Sequence, residues 1–99
     1  MTLATDTKKH FRTIGHNLNP IVTIAGNGLS EGVLAELDRA LEDHELIKIK
    51  LAIADREERA QTIADICSQC AAEVVQTIGK VALIFRAAKK PNLKKSNAR

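Results

Sequence analysis

A strand, a glycine-containing turn, a helix and a second strand follow one another between residues 20 and 50, and this order constrains the fold most. An apolar run leads into a turn bounded by Gly26 and Gly28, and apolar residues then recur at helical spacing. The next segment alternates apolar residues with Lys48 and Lys50. Strands joined through a helix are typically parallel neighbours linked by a right-handed crossover. We therefore expect an α/β fold.

The remaining segments complete a single domain. Residues from about 6 to 16 have apolar residues at helical spacing, and a third helix is predicted to start after Asp55. Two short strands follow, separated by Gly79 and Lys80, which suit a tight hairpin. The predicted order is α-β-α-β-α-β-β, a compact two-layer domain with a mixed four-stranded sheet over residues 1–86. A chain of 99 residues supplies one core and leaves little room for a second.

Charge is unevenly distributed along the chain. The net charge of +3 divides into −2 for residues 1–86 and +5 for residues 87–99. The last segment contains no acidic residue and almost nothing apolar, so we expect a basic tail that is disordered in the free protein. Such a tail favours polyanions, and the abundant polyanion in the cytoplasm is nucleic acid. The alternative is that this basic tail only increases the solubility of the protein and binds no partner.

The apolar runs are too short for a membrane span, and the first residues lack the apolar region of a secretion signal. We expect a cytoplasmic monomer without a membrane partner. Cys67 and Cys70 form a CxxC pair, but both lie late in the predicted third helix, on its apolar side. A redox pair places its first cysteine at a helix start, where N–H groups lower the thiol pKa. These two cysteines are interpreted as reduced core residues.

No set of side chains points to catalysis. His10, His16 and His44 have neither a nucleophile partner nor metal-ligand spacing. We predict no enzymatic activity, no cofactor, no metal and no small-molecule substrate. The two aromatic residues, Phe11 and Phe85, fall at positions predicted to face the core, so few aromatic rings are left to stack on nucleic-acid bases. A nucleic-acid partner would be structured RNA, contacted at phosphates and 2′-hydroxyls by backbone N–H groups and basic side chains.

The span from Lys8 to Arg86 resembles the CRS1–YhbY (CRM) domain family, and specifically its stand-alone bacterial YhbY proteins. The resemblance rests on three stretches in the family's order, NPIVTIAGNGLSEGVLAEL, DHELIKIK and VQTIGKVALIFR. It implies RNA binding and a fold similar to the C-terminal domain of translation initiation factor 3. It also implies a role in ribosome assembly, with ribosomal RNA or its precursor in the pre-large ribosomal subunit as partner.

The family carries a GxxG loop like that of KH domains, which falls on residues 25–28 of this chain. Alanine replaces the first glycine, and no basic residue stands inside the loop. The positive charge that binds RNA phosphates must therefore come from other segments of the chain. The predicted RNA-binding residues are Ala25, Gly26, Asn27 and Gly28 in the loop and the basic residues Lys8, Lys9, Arg12, Lys48, Lys50, Arg86, Lys89 and Lys90.

Two other functions stay open at this point. A protein-interaction module would dock on a ribosomal protein or an assembly GTPase through the acidic second helix. A thiol-redox protein would require an unusually acidic Cys67 or Cys70. A steep dependence of RNA affinity on salt favours the RNA-binding function, whereas RNA-independent capture of one protein favours the interaction module.

Overall fold

The computed structural model describes residues 3–26 and 29–98, and its elements follow the predicted order. The elements are α1 (Thr5–Gly15), β1 (Pro20–Ala25), α2 (Glu31–His44), β2 (Leu46–Ala52), α3 (Arg56–Cys70), β3 (Glu73–Ile78) and β4 (Val81–Phe85). The strand order is β1-β2-β4-β3, with β1 parallel to β2 and β4 antiparallel to both of its neighbours. The predicted α/β fold with a mixed four-stranded sheet is confirmed.

Local sequence signals begin and connect these elements. The Ser30 hydroxyl accepts the Val33 N–H at 3.1 Å at the start of α2, and the Asp55 carboxylate accepts the Glu57 N–H at 3.2 Å at the start of α3. Gly79, in the turn between β3 and β4, has a φ of +56°, a conformation that other residues rarely adopt. Within the described ranges, no helix combines the length and the apolar character needed to cross a membrane.

The sheet separates two apolar clusters. Ile47, Ile49 and Leu51 of β2 belong to the larger cluster, which packs under α2 and α3. Leu46 belongs to the smaller cluster on the other side, together with Phe11 of α1. We call these two sides the helical face, covered by α2 and α3, and the open face, covered only in part by α1. The first helix thus adds a partial third layer to the expected two-layer arrangement.

Close packing holds α1 on the open face. The rings of Phe11 and Phe85 lie 4.7 Å apart between centroids, at an angle of 34°. A Cβ atom added to Gly15 would lie 2.6 Å from Cδ2 of Leu83, so glycine lets the end of α1 approach β4 closely. The sequence showed the apolar stripe of α1 but did not specify which side of the sheet that stripe would cover.

Residues 87–98 lie back against the domain, which differs from the expected disordered tail, and we call this segment the strap. The physical reason is Glu45, a fully buried residue between α2 and β2. Its carboxyl oxygens accept the Ala88 N–H at 2.7 Å and the Ser96 hydroxyl at 2.8 Å. Buried polar groups require hydrogen-bond partners, and this requirement draws the strap onto the domain.

Candidate nucleic-acid interface

Two lysines of β2 lie on the open face. Because side chains alternate along a strand and Ile49 points into the core, Lys48 and Lys50 point to the other side. A groove of about 450 Å³ lies beside Lys48, between the end of α1 and the strands, and we call it the sheet groove. Its lining residues are Gly15, His16, Leu18, Asn19, Pro20, Lys48, Gln76, Ile78, Val81 and Leu83.

The described part of the predicted loop is open to a partner. Ala25 pairs with Ala52 where the parallel strands β1 and β2 end, and the chain then turns at Gly26. Both Ala25 and Gly26 are exposed, and a Cβ added to Gly26 would meet no heavy atom within 4 Å. Asn27 and Gly28, the other two predicted loop residues, lie outside the described residues. The backbone at Gly26 can therefore be approached closely.

The same end of the sheet gathers further basic residues. Lys50 pairs with Val81 at the start of β4, and the Leu51 N–H donates to the Lys80 carbonyl at 2.7 Å. Arg56 begins α3 at the same end, because only three residues separate it from the end of β2. The sequence prediction omitted Lys80 and Arg56. For Lys80 the missing signal was the pairing of β2 with β4, which residue patterns do not specify.

The predicted basic residues of the first helix lie on the open-face side. Lys8, Lys9 and Arg12 all belong to α1, the helix that packs on this side of the sheet through Phe11. Lys9 is exposed, and Lys8 and Arg12 are half-buried. The structure therefore brings α1 and the lysines of β2 to one side of the molecule.

Arg86 has a different environment from the one expected for an RNA-binding residue. Its guanidinium lies 2.7 Å from Oδ1 of Asp38 and 3.4 Å from Oε1 of Glu42, and it donates to the Cys70 carbonyl at 3.1 Å. Its side chain is only 16% exposed. Arg86 thus joins α2, α3 and the end of β4, and we leave it out of the interface. Its acidic partners lie 48 and 44 positions away, so the sequence pattern did not reveal them.

Lys89 and Lys90 lie in the strap beside α2. Their backbone N–H groups donate to Oε2 of Glu42 at 3.1 and 3.5 Å, and their side chains are exposed. This position is on the helical side of the sheet. The structure therefore does not bring these two predicted residues together with Lys48 and Lys50.

The two cysteines are packed among apolar side chains. Cys70 is buried and Cys67 is half-buried, and both contribute to the cluster under α2 and α3. Burial raises the pKa of both thiols, and the Arg86 charge opposes this rise in the pKa of Cys70. A reactive CxxC pair has a thiol pKa that is lowered, so the pKa shift here is in the opposite direction. Among residues 3–26 and 29–98, no three His, Cys, Asp or Glu side chains are grouped as metal ligands.

Comparison with known proteins gives relatives that span most of the chain. A protein of Pseudomonas aeruginosa named as a probable RNA-binding protein is 53% identical over 97 residues, which are 98% of this chain and 93% of the relative. An RNA-binding protein of Haemophilus influenzae is 48% identical over 85 residues, 86% of each chain.

The fold has a counterpart among solved structures. The solution structure of a hypothetical protein from Staphylococcus aureus matches with a TM-score of 0.78 and 28% identity, and the match covers 90% of this chain and 93% of that one. The model of the CRS1/YhbY (CRM) domain matches residues 3–86, which confirms the resemblance seen in the three sequence stretches. The chain therefore belongs to the CRS1/YhbY (CRM) domain family.

Proposed function

We propose that this protein binds RNA without catalysing a reaction, and that the open face and the adjoining loop form the contact surface. The observation that carries the proposal is the division of charge between the two sides of the sheet. Helices α2 and α3 carry eight acidic and three basic residues, whereas α1 and β2 carry one acidic and five basic residues. Phosphates are attracted to the second set. The relatives named as RNA-binding proteins support the same conclusion.

The proposed contacts follow from the chemistry of this side. Lys48, Lys50 and the basic residues of α1 meet phosphates, and the exposed backbone at Gly26 permits close approach of the ribose-phosphate chain. Asn19 and Gln76 line the sheet groove and can hydrogen-bond 2′-hydroxyls. Such contacts recognise the shape of an RNA more than its sequence.

Charge reversal on the two faces tests this proposal. Lys50→Glu removes a positive charge from the open face, and Arg39→Glu makes the same change on α2. Binding of a fluorescently labelled RNA hairpin, measured by anisotropy against salt, is expected to weaken about tenfold for Lys50→Glu. The slope of log affinity against log salt should also flatten by about 0.7 to 0.9. Equal losses for the two variants would contradict the assignment of the open face.

We further propose that the RNA is large-subunit ribosomal RNA or its precursor, and that the protein acts in the cytoplasm during ribosome assembly. The resemblance to stand-alone bacterial YhbY proteins supports this target. Lysate sedimented on a sucrose gradient, with and without RNase, tests it. Co-migration with particles that precede the large subunit, abolished by RNase, is the expected result. Recovery only at the top of both gradients would overturn the ribosomal target and leave RNA binding to be tested by the hairpin.

The alternative of a protein-interaction module receives less support from the acidic helix. Asp38 and Glu42 of α2 contact the guanidinium of Arg86, so part of the acidic surface is used within the molecule. RNA-independent capture of a ribosomal protein or an assembly GTPase would favour this module. We therefore advance RNA binding as the function.

A further inference from the structure

The strap is held near both ends by the junction between α2 and β2. Near its start, the Ala88 N–H donates to Oε2 of Glu45 at 2.7 Å. Near its end, the Ser96 hydroxyl donates to Oε1 of Glu45 at 2.8 Å, and the Asn97 amide donates to the Leu46 carbonyl at 2.8 Å. Because the Glu45 carboxyl group is buried, leaving it without these donors would be costly. The strap therefore has a defined position.

The middle of the strap forms a turn that fixes one lysine. The Ser96 N–H donates to the Asn92 carbonyl at 2.8 Å, and Nδ1 of His44 lies 2.8 Å from the Lys95 carbonyl. Since a carbonyl only accepts, His44 carries a proton on Nδ1. The ammonium of Lys95 lies 4.0 Å from Oδ2 of Asp43, the outer limit of an ion pair. The backbone of Lys95 is thus held while its exposed side chain can meet another anion.

The seated strap forms one wall of a second groove, of about 490 Å³, which we call the strap groove. The connection between α1 and β1 forms the opposite wall. The polar residues lining the groove are Asn17, Asn19, His44, Lys48, Lys94, Lys95 and Asn97. Three lysines attract phosphates, and three side-chain amides can donate to phosphate or 2′-hydroxyl oxygens.

The two grooves are continuous. Leu18, Asn19 and Lys48 line both of them, so an RNA strand lying over Lys48 can pass from the sheet groove into the strap groove. We propose that the strap groove is a second phosphate-binding site for the same RNA, and that it exists only while the strap is seated. This inference rests on the proposed function. Under this proposal the strap is part of the RNA interface and holds its lysines at fixed positions, whereas a disordered segment would contribute charge alone.

Two variants separate the position of the strap from its charge. Lys94→Ala with Lys95→Ala, the charge variant, removes two positive charges and leaves the Glu45 contacts in place. Ser96→Ala, the release variant, removes a donor that holds the strap and leaves every lysine and amide that lines the strap groove. The rate of trypsin cleavage after residues 94 and 95 reports whether the strap is seated, and circular dichroism reports the fold.

The expected results concern the labelled RNA hairpin. The charge variant should flatten the salt slope by about 1.4 to 1.8, twice the contribution of one phosphate contact. The release variant should be cleaved faster by trypsin and should lose about threefold to tenfold in affinity, because the lysines must then be ordered on binding. Unchanged affinity of a folded release variant would overturn the inference and leave the proposed function standing. Failure of the unmodified protein to bind the hairpin would overturn both.

A variant on the opposite wall covers the case in which the release variant does not fold. Asn17 lines the strap groove but not the sheet groove, so Asn17→Asp places a negative charge in the strap groove alone. Gln69→Glu makes the same change on α3 as a matched control. Asn17→Asp should weaken RNA binding about threefold or more, with the fold and the trypsin pattern unchanged. Equal affinities for the two variants would overturn the second site.

Discussion

The two sides of the sheet differ in both packing and charge. Among the described residues, twelve buried ones form the cluster between the sheet and the pair α2 and α3, whereas four form the cluster under α1. The better-packed side is the acidic one, and the less covered side carries the lysines of β2. This difference teaches that the helical face contributes more hydrophobic burial than the open face does. The open face is left accessible to a charged partner.

The largest effect should follow from removing core volume on the helical face. Leu37 of α2 is fully buried, so Leu37→Ala is expected to lower the free energy of unfolding by about 2 to 5 kcal/mol. Ile78, 63% exposed on β3, is the matched control, and Ile78→Ala should change the stability by less than about 0.5 kcal/mol. Urea unfolding followed by circular dichroism measures both. Similar losses at the two sites would contradict the burial of Leu37 in the core of the helical face.

A second prediction concerns the smaller cluster. Gly15→Ala places a Cβ against Leu83 and is expected to lower the free energy of unfolding by about 1 to 3 kcal/mol, because the close contact must open. Gly32→Ala is the control, since the nearest heavy atom would be Oγ of Ser30 at 3.8 Å. Alanine should be neutral or stabilising there by up to about 1 kcal/mol. Thermal unfolding of the two variants under the same conditions compares them, and a stable Gly15→Ala variant would argue against tight packing of α1.

The loop should affect binding but not stability. Gly26→Asp places a carboxylate where we expect phosphate, and RNA affinity should fall about fivefold, or about 1 kcal/mol. Gly26→Ala adds only a methyl group in open space, so it should bind more tightly than the Asp variant. Titration of the labelled hairpin gives the affinities, and unfolding curves give the stabilities. Equal affinity of Gly26→Asp and the unmodified protein would remove the loop from the interface.

The smallest effect should come from the thiols of the helical face. Burial raises the pKa of Cys67 and Cys70, so the folded chain keeps both protons at a pH where the unfolded chain loses them. Their contribution to stability is present below the unfolded pKa, about 8.5, and is lost as the pH rises through the folded values. Unfolding free energies measured on both sides of this pH test the sign. Iodoacetamide should react more slowly with the folded protein than with the urea-unfolded chain, and equal rates would contradict the burial.

Much of the fold could be predicted because its signals are local. The alternation around Lys48 and Lys50 predicted which side chains of β2 face the core, and the pair Gly79 and Lys80 predicted the hairpin. The start of α2 also has a local signal, the Ser30 hydroxyl that accepts the Val33 N–H. Each of these signals depends on residues within a few positions of one another.

The candidate site was less predictable because its decisive contacts join distant residues. The guanidinium of Arg86 could bind a phosphate, but it forms ion pairs with Asp38 and Glu42 of α2 on the helical side. The strap was expected to be disordered because its composition is polar, whereas its position depends on Glu45, a buried acid of the kind that sequence patterns place on the surface. Charge density along the chain therefore identified basic residues without showing which of them share a surface.

The position of β4 has a consequence for synthesis of the chain. Of the four strands in this sheet β4 is made last, yet it lies between β2 and β3. During translation β1 and β2 can pair first, while β3 emerges with no neighbour in the sheet. The sheet can close only after Phe85 has left the ribosomal tunnel, so the two strand edges that β4 later covers, one of β2 and one of β3, stay unpaired until then.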